Sequence, residues 1–103
     1  MSALEALNRY RQRAGRVRLA EDAALVALAG QRAGEIARHY AHWDAAPASE
    51  VLTVGRLDAE GAVWEWLSWA PHRAILMNPQ AGRAGFGSYE QNGQTYWVGL
   101  IGG

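Results

Sequence analysis

The chain lacks cysteine, which excludes a disulfide framework and any thiolate metal site. It has no long apolar run, so no membrane-spanning helix is predicted. It also lacks an excess of either charge, because ten arginines balance ten acidic residues and lysine is absent. Without a net field to attract polyanions, a nucleic-acid partner is not expected. Any metal site must therefore be built from histidine and carboxylate side chains.

Half of the 103 residues are hydrophobic. A single domain spanning 1–103 is therefore expected, and at this size it buries roughly two thirds of the surface that its unfolded chain exposes. Five of the ten arginines cluster near the N-terminus, where acidic residues flank them. This flanking predicts a solvated helix face followed by a turn, rather than a basic patch. The arginines concerned are Arg9, Arg11, Arg13, Arg16 and Arg18.

Two helices are predicted in the first half of the chain. Ser2 and Glu5 have the spacing of a capping box, and apolar residues at helical intervals extend this helix over about 3–14. Asp22 is predicted to cap a longer helix that ends near residue 41. One inward stripe follows this second helix, with the members Leu25, Leu28, Ala29, Arg32, Ile36 and Tyr40.

The middle of the chain predicts a short strand and a third helix. Residues 50–54 have the β-branched character of a strand. Asp58 is predicted to cap a helix that ends before Pro71, since the residue preceding a proline disfavours helical geometry. This helix is expected to carry three apolar side chains inward: Val63, Trp66 and Leu67.

The end of the chain predicts a hairpin. Residues 85–89 and 95–101 are β-prone, and Asn92-Gly93 between them is a strong signal for a two-residue turn. Together with the helices, these strands predict an α+β fold in which a small antiparallel sheet has helices packed on it.

Three blocks follow one another in an order and spacing typical of one family. They are Leu7-Asn8-Arg9-Tyr10-Arg11, the segment from Trp66 through Pro71-His72-Arg73-Ala74-Ile75-Leu76-Met77-Asn78-Pro79, and Gly85-Phe86-Gly87 with Tyr96-Trp97-Val98. They resemble the bacterial branch of the SCP/CAP superfamily, which contains cysteine-rich secretory proteins, insect venom antigens and plant pathogenesis-related class 1 proteins. The resemblance implies an α-β-α sandwich over nearly the whole chain.

The resemblance also implies a cleft with a metal site. By position, His42, Glu50 and His72 match the cleft histidines and one glutamate of the family. Trp69 stands near the place of a second glutamate in many eukaryotic members, so the full two-histidine, two-glutamate set is not expected. Two imidazoles and one carboxylate would leave a fourth position open on a divalent metal, with zinc as the first choice.

Other interpretations of the polar residues remain open. His72 can instead donate to a backbone carbonyl while Glu50 accepts from an amide or an arginine. His39 is expected to form a surface pair with Glu35, four residues before it. Ser68 is expected to cap or line a helix end rather than act as a nucleophile.

The tryptophans suggest both a core and a ligand surface. Trp66 and Trp97 are expected to pack between helix and sheet, whereas Trp43 and Trp69 are candidates to contact a ligand. An apolar groove rimmed by Trp43 or Trp69 would favour a lipid or sterol binder.

The leading hypothesis for function is a non-catalytic binding domain whose histidine and glutamate cleft can hold a divalent metal. Its partner would be a protein, a lipid or a small molecule. A metal-dependent peptide or ester hydrolase and a lipid- or sterol-binding module are the alternatives. The resemblance implies secretion, although the opening Ser2-Ala3-Leu4-Glu5 is unlike a signal peptide.

Overall fold

The computed structural model describes residues 1–103 as four helices and four strands. None of the four helices is both long and apolar enough to cross a membrane. In chain order the elements are α1 (Ala3–Arg13), β1 (Ala20–Glu21), α2 (Ala23–Arg38), β2 (Ser49–Gly55), α3 (Ala59–Leu67), α4 (Ala70–Leu76), β3 (Arg83–Gln91) and β4 (Gln94–Gly102).

The four strands form one mixed sheet in the order β1-β3-β4-β2. The predicted hairpin is confirmed, with β3 antiparallel to β4 and both Asn92 and Gly93 at positive φ in the turn. Strand β2 pairs antiparallel with β4. The sheet is not wholly antiparallel as expected, because the two-residue strand β1 runs parallel to β3. A strand so short has no alternating pattern by which a sequence can reveal it.

Helices cover both faces of the sheet, which confirms the α-β-α sandwich. Successive residues of a strand point to opposite faces, and β2 follows this rule. Val51 packs into the core shared with α1, α3 and α4, where Trp66 is fully buried. Leu52 packs into the core shared with α2, beside Val98 and Leu100. The sheet therefore separates two hydrophobic cores.

Two glycines of β3 allow α2 to lie directly on the strand. A Cβ added at Gly85 would lie 2.3 Å from the Leu25 carbonyl carbon, and one added at Gly87 would lie 2.3 Å from the Gly30 nitrogen. Real Cβ atoms essentially never approach other atoms so closely. Because glycine has no side chain at these two positions, α2 can approach β3 closely, and this approach sets the position of Arg32 on that helix.

The predicted helix starts are confirmed by hydrogen bonds. Ser2 and Glu5 form the capping box, Asp22 accepts from the Leu25 N–H, and Asp58 caps α3. The predicted ends differ. Helix α2 stops at Arg38, earlier than expected, because His39 takes an extended conformation.

A fourth helix was not predicted. Pro71 does not merely follow a helix end, because it lies in the first turn of α4, where a proline is tolerated. Ser68 closes α3 by donating from Oγ to the Glu65 carbonyl at 2.7 Å, which confirms its expected role at the helix end. The short break between α3 and α4 leaves Trp69 as the residue that precedes the new helix.

Only part of the arginine cluster is the solvated face that was expected, because three of its five arginines are exposed and two are not. Arg11 is fully buried, and its Nε and Nη1 each donate at 2.8 Å, to the carbonyls of Val17 and Leu76 respectively. Arg16 is half-buried and donates to the Met77 carbonyl. Carbonyl oxygens at a helix end attract a cation, so these two arginines tie the segment after α1 to the end of α4.

Candidate functional site

A cleft lies where the segment after α2, strand β2 and the start of α4 meet. It has a volume of about 230 Å³ and contains two of the three histidines of the chain. We call it the histidine cleft and define it by its lining residues, Tyr40, Ala41, His42, Leu52, Trp69 and His72.

A buried ion pair between Arg32 and Glu50 stands behind the cleft. Arg32 Nε donates to Glu50 Oε2 at 2.7 Å, and Arg32 Nη2 donates to Glu50 Oε1 at 3.2 Å. The two side chains are only 9% and 3% exposed. The remaining donors of Arg32 reach the Glu35 carboxylate and the Ala41 carbonyl, each at 2.8 Å. This guanidinium therefore joins α2, β2 and the segment that carries His42.

The surroundings of Glu50 keep it ionised. Burial alone would raise the pKa of Glu50, but hydrogen bonds from Arg32 and the Trp43 N–H outweigh burial, so this pKa is held below its ordinary value. The same contact raises the pKa of Arg32. At neutral pH, Glu50 is thus a carboxylate that can only accept hydrogen bonds.

His42 is held by Glu50. Its Nδ1 lies 3.2 Å from Glu50 Oε1. Because the carboxylate only accepts, this hydrogen bond places a proton on Nδ1 and leaves the Nε2 lone pair of the neutral ring available. The side chain of His42 is 59% exposed. Its free nitrogen is therefore accessible to a ligand from solvent.

His72 approaches the cleft from α4. Its ring packs edge to face on Trp69, with centroids 4.6 Å apart, and neither ring nitrogen has a hydrogen-bond partner within the protein. The alternative in which His72 donates to a backbone carbonyl is therefore not found. Burial lowers the pKa of His72, and a proton on both nitrogens of His42 would lower it further. His72 thus favours its neutral form, which is the form that binds metals.

The three predicted metal ligands do not fit as one set of ligands. No group of three histidine, aspartate or glutamate side chains is arranged to hold a metal ion. Glu50 already faces Arg32, His42 and the Trp43 N–H. A metal ligated by Glu50 would have to compete with a buried guanidinium. The structure does bring His42 and His72 to one cleft, so two imidazoles are available there.

The two candidate ligand-contacting tryptophans differ in their surroundings. Trp69 lines the histidine cleft and is 58% exposed. Trp43 does not line the cleft. The guanidinium carbon of Arg32 lies 5.9 Å from the Trp43 ring centroid in a cation–π contact. The cleft that Trp69 lines also contains two histidines. Trp66 and Trp97 pack between helix and sheet, as expected.

Sequence reasoning did not identify Arg32 as a site residue, and it predicted a pairing of His39 with Glu35 that does not form. An arginine within an otherwise apolar helical stripe was the available signal, since a buried arginine requires a buried partner. The expected surface pair of His39 and Glu35 does not form, because Glu35 binds Arg32 instead. His39 is exposed at the end of α2.

Comparisons with known proteins agree with this architecture. An outer surface protein from Borrelia burgdorferi superposes with a TM-score of 0.81 at 16% identity, over 96% of this chain and 87% of that one. An extracellular protein containing an SCP domain from Bacillus anthracis gives 0.81 at 20% identity, over 98% of this chain and 39% of that one. Hookworm platelet inhibitor gives 0.73 at 16% identity, over 98% and 66%. At these identities the likeness concerns the fold alone.

No curated protein sequence matches this chain. A family model does match, and it covers residues 4–101 under the description CAP, cysteine-rich secretory protein family. That match spans nearly every element described above, including the cleft and both cores. The chain therefore belongs to the CAP family.

Proposed function

We propose that this CAP domain is a non-catalytic binding module that takes its ligand in the histidine cleft. One observation carries the proposal: the cleft presents two imidazoles and an exposed tryptophan, while the carboxylate behind it is neutralised by Arg32. No carboxylate lines the cleft itself. The site is therefore equipped to bind a ligand through the His42 and His72 imidazoles.

Hydrolysis would require a nucleophile, a general base and donors aimed at a developing oxyanion. Ser68 donates its hydroxyl proton to a backbone carbonyl and does not line the cleft. Glu50 has both oxygens occupied by donors. These contacts favour binding over the hydrolase alternative.

Within this binding function, His42 and His72 would hold a divalent metal ion, with zinc suited to two imidazole nitrogens. The metal would supply a positive centre to which a donor group of the ligand binds. Glu50 would act through His42, because a carboxylate on Nδ1 orients the ring and makes it a better ligand. This differs from the set expected from sequence, in which Glu50 was itself a ligand.

The surface of the cleft and the similar structures support a proposal for the partner and for the location. Trp69 gives the cleft an exposed aromatic rim, which suits a peptide segment of a protein or a small molecule. Two of the similar structures are an outer surface protein and an extracellular protein. We place the action of this domain outside the cell on that basis.

The test of the metal is a zinc titration by calorimetry at pH 7. Wild type and His39→Ala, a matched exposed histidine outside the cleft, should bind zinc one to one. His42→Ala and His72→Ala should each lose binding, and Glu50→Gln should weaken it about 10-fold or more because the ring is no longer oriented. Absent binding, or binding lost in His39→Ala, would contradict the metal site.

The test of catalysis is separate. Zinc-loaded wild type and the His42→Ala variant, which should bind no zinc, should be equally inactive on a panel of peptide and ester substrates. Turnover by wild type that disappears in His42→Ala would refute the non-catalytic assignment even if zinc binds as proposed.

A further inference from the structure

A pair of aromatic side chains stands apart from the histidine cleft. Trp64 on α3 is 60% exposed, and its ring centroid lies 6.1 Å from that of Tyr10 on α1. We call these two residues the aromatic ridge. A hollow lies against each side of the ridge, and neither hollow shares a lining residue with the histidine cleft.

The first hollow is apolar with cationic edges. It has a volume of about 340 Å³ and is lined by Ala14, Leu67 and Met77 as well as by Arg13 and Arg73. The guanidinium carbon of Arg13 lies 6.0 Å from the Tyr10 ring centroid, and Arg73 donates to the Leu67 carbonyl. Both arginines are exposed, and neither forms an ion pair. Two positive charges thus remain available beside an apolar surface.

The second hollow carries the opposite charge. Its volume is about 370 Å³, and besides the ridge its lining consists of Asp58, Glu60 and Gly61. Both carboxylates are exposed, and neither forms an ion pair. Because Tyr10 and Trp64 line both hollows, the ridge separates two unpaired cations from two unpaired anions.

We propose that this surface binds a second copy of the chain around a two-fold axis near Trp64. Such an axis places the same patch on both partners. When the axis runs along the aromatic ridge, between the two hollows, the arginines of each copy face the carboxylates of the other. The two ridges then pack at the centre, where tryptophan, tyrosine and arginine are the residues that contribute most to binding. The two-fold axis repeats this contact between arginines and carboxylates, so the dimer contains it twice even though the chain has no net charge.

The size of the molecule is compatible with this dimer. A standard interface covers about 800 Å² per partner, which is about a seventh of the 5709 Å² surface of this domain. The rival occupant is an acidic ligand that uses only the cationic hollow. That ligand would not depend on Glu60, whereas the two-fold dimer does.

The first experiment is sedimentation velocity of the full chain from about 1 µM to about 1 mM. Wild type should dimerise, and Trp64→Ala should weaken the dimer about 30-fold, as expected for a central aromatic residue. Trp69→Ala is the matched control, because Trp69 is equally exposed but lies in the histidine cleft, and it should dimerise like wild type. A monomer at every concentration, or a dimer that persists in Trp64→Ala, would overturn the proposal.

The second experiment uses charge reversal, which removes no apolar surface. The double variant Arg13→Glu/Arg73→Glu and the single variant Glu60→Arg should each dimerise less than wild type, because like charges then face each other. Mixing the two variants should restore association as a heterodimer. Association by Glu60→Arg alone at wild-type strength, or no recovery on mixing, would reject the two-fold arrangement.

Discussion

The buried ion pair between Arg32 and Glu50 can be tested by a double-mutant cycle. The cycle compares Arg32→Met, Glu50→Leu and the double variant with wild type. Removal of one partner leaves the other charge buried, which typically costs about 3–5 kcal/mol. Arg32 keeps its contacts to Glu35 and Ala41 when Glu50 is lost, so we expect about 3 kcal/mol for Glu50→Leu. Arg32→Met leaves a carboxylate only 3% exposed, and should cost about 4 kcal/mol.

The double variant should cost less than the sum of the two, because it leaves neither charge unpaired. We expect it to lose about 2–4 kcal/mol in all, with a coupling energy of about 3 kcal/mol or more. Urea unfolding followed by tryptophan fluorescence measures each free energy, since the chain has five tryptophans. Strictly additive losses, or single losses below about 1 kcal/mol, would refute the assignment of a strongly coupled buried pair.

The pH dependence of the same pair has a definite sign. The pKa of Glu50 is lowered in the folded protein, so its contribution to stability is present above its unfolded pKa of about 4.3. That contribution is lost as pH falls through the lower folded value. The difference in stability between wild type and Glu50→Gln should therefore be constant from about pH 6 to pH 7 and shrink below about pH 4.

Three further predictions concern the rest of the fold and the cleft. Gly87→Ala places a Cβ against the α2 backbone and should cost about 1–3 kcal/mol in urea unfolding; Gly30→Ala, whose Cβ meets nothing within 4 Å, should instead stabilise the helix by about 0.5–1 kcal/mol. Asn8→Ala removes two buried hydrogen bonds to Leu19 and should cost about 2–3 kcal/mol by the same assay. In metal-free protein, the NMR titration midpoint of His72 should lie below 6.5. The contribution of His72 to stability should be complete above about pH 6.5 and should decline as pH falls toward the folded pKa. A midpoint above 6.5 would contradict the burial of this ring.

The family resemblance singled out three residues that the fold does bring near one another, because motif order carries over without detailed geometry. His42 and His72 do line one cleft, and Glu50 does contact His42. The chemical role of Glu50 was not accessible in the same way. Its partner Arg32 lies 18 residues earlier on a helix, and in the sequence it was counted as one more member of an inward stripe.

Elements with weak local signals were also missed. Strand β1 is two residues long and is stabilised by pairing with β3, which is distant in the sequence. Helix α4 is seven residues long, and a helix of this length depends on tertiary packing, which buries Leu76. The early end of α2 has the same origin: Tyr40 leaves the helix and packs against Tyr96, with ring centroids 6.5 Å apart.

The helix starts, the hairpin turn and the fold family of this protein could all be predicted from its amino-acid sequence. The N-cap residues, Asn92-Gly93 and hydrophobic periodicity depend on residues within a few positions of one another, so they can be recognised without a structure. The pairing of Arg32 with Glu50, in contrast, could be seen only in the folded chain. Whether Glu50 serves as a metal ligand or as the partner of Arg32 depends on the groups that the fold brings within about 3 Å of its oxygens, and the close approach of α2 to Gly85 and Gly87 brings Arg32 there.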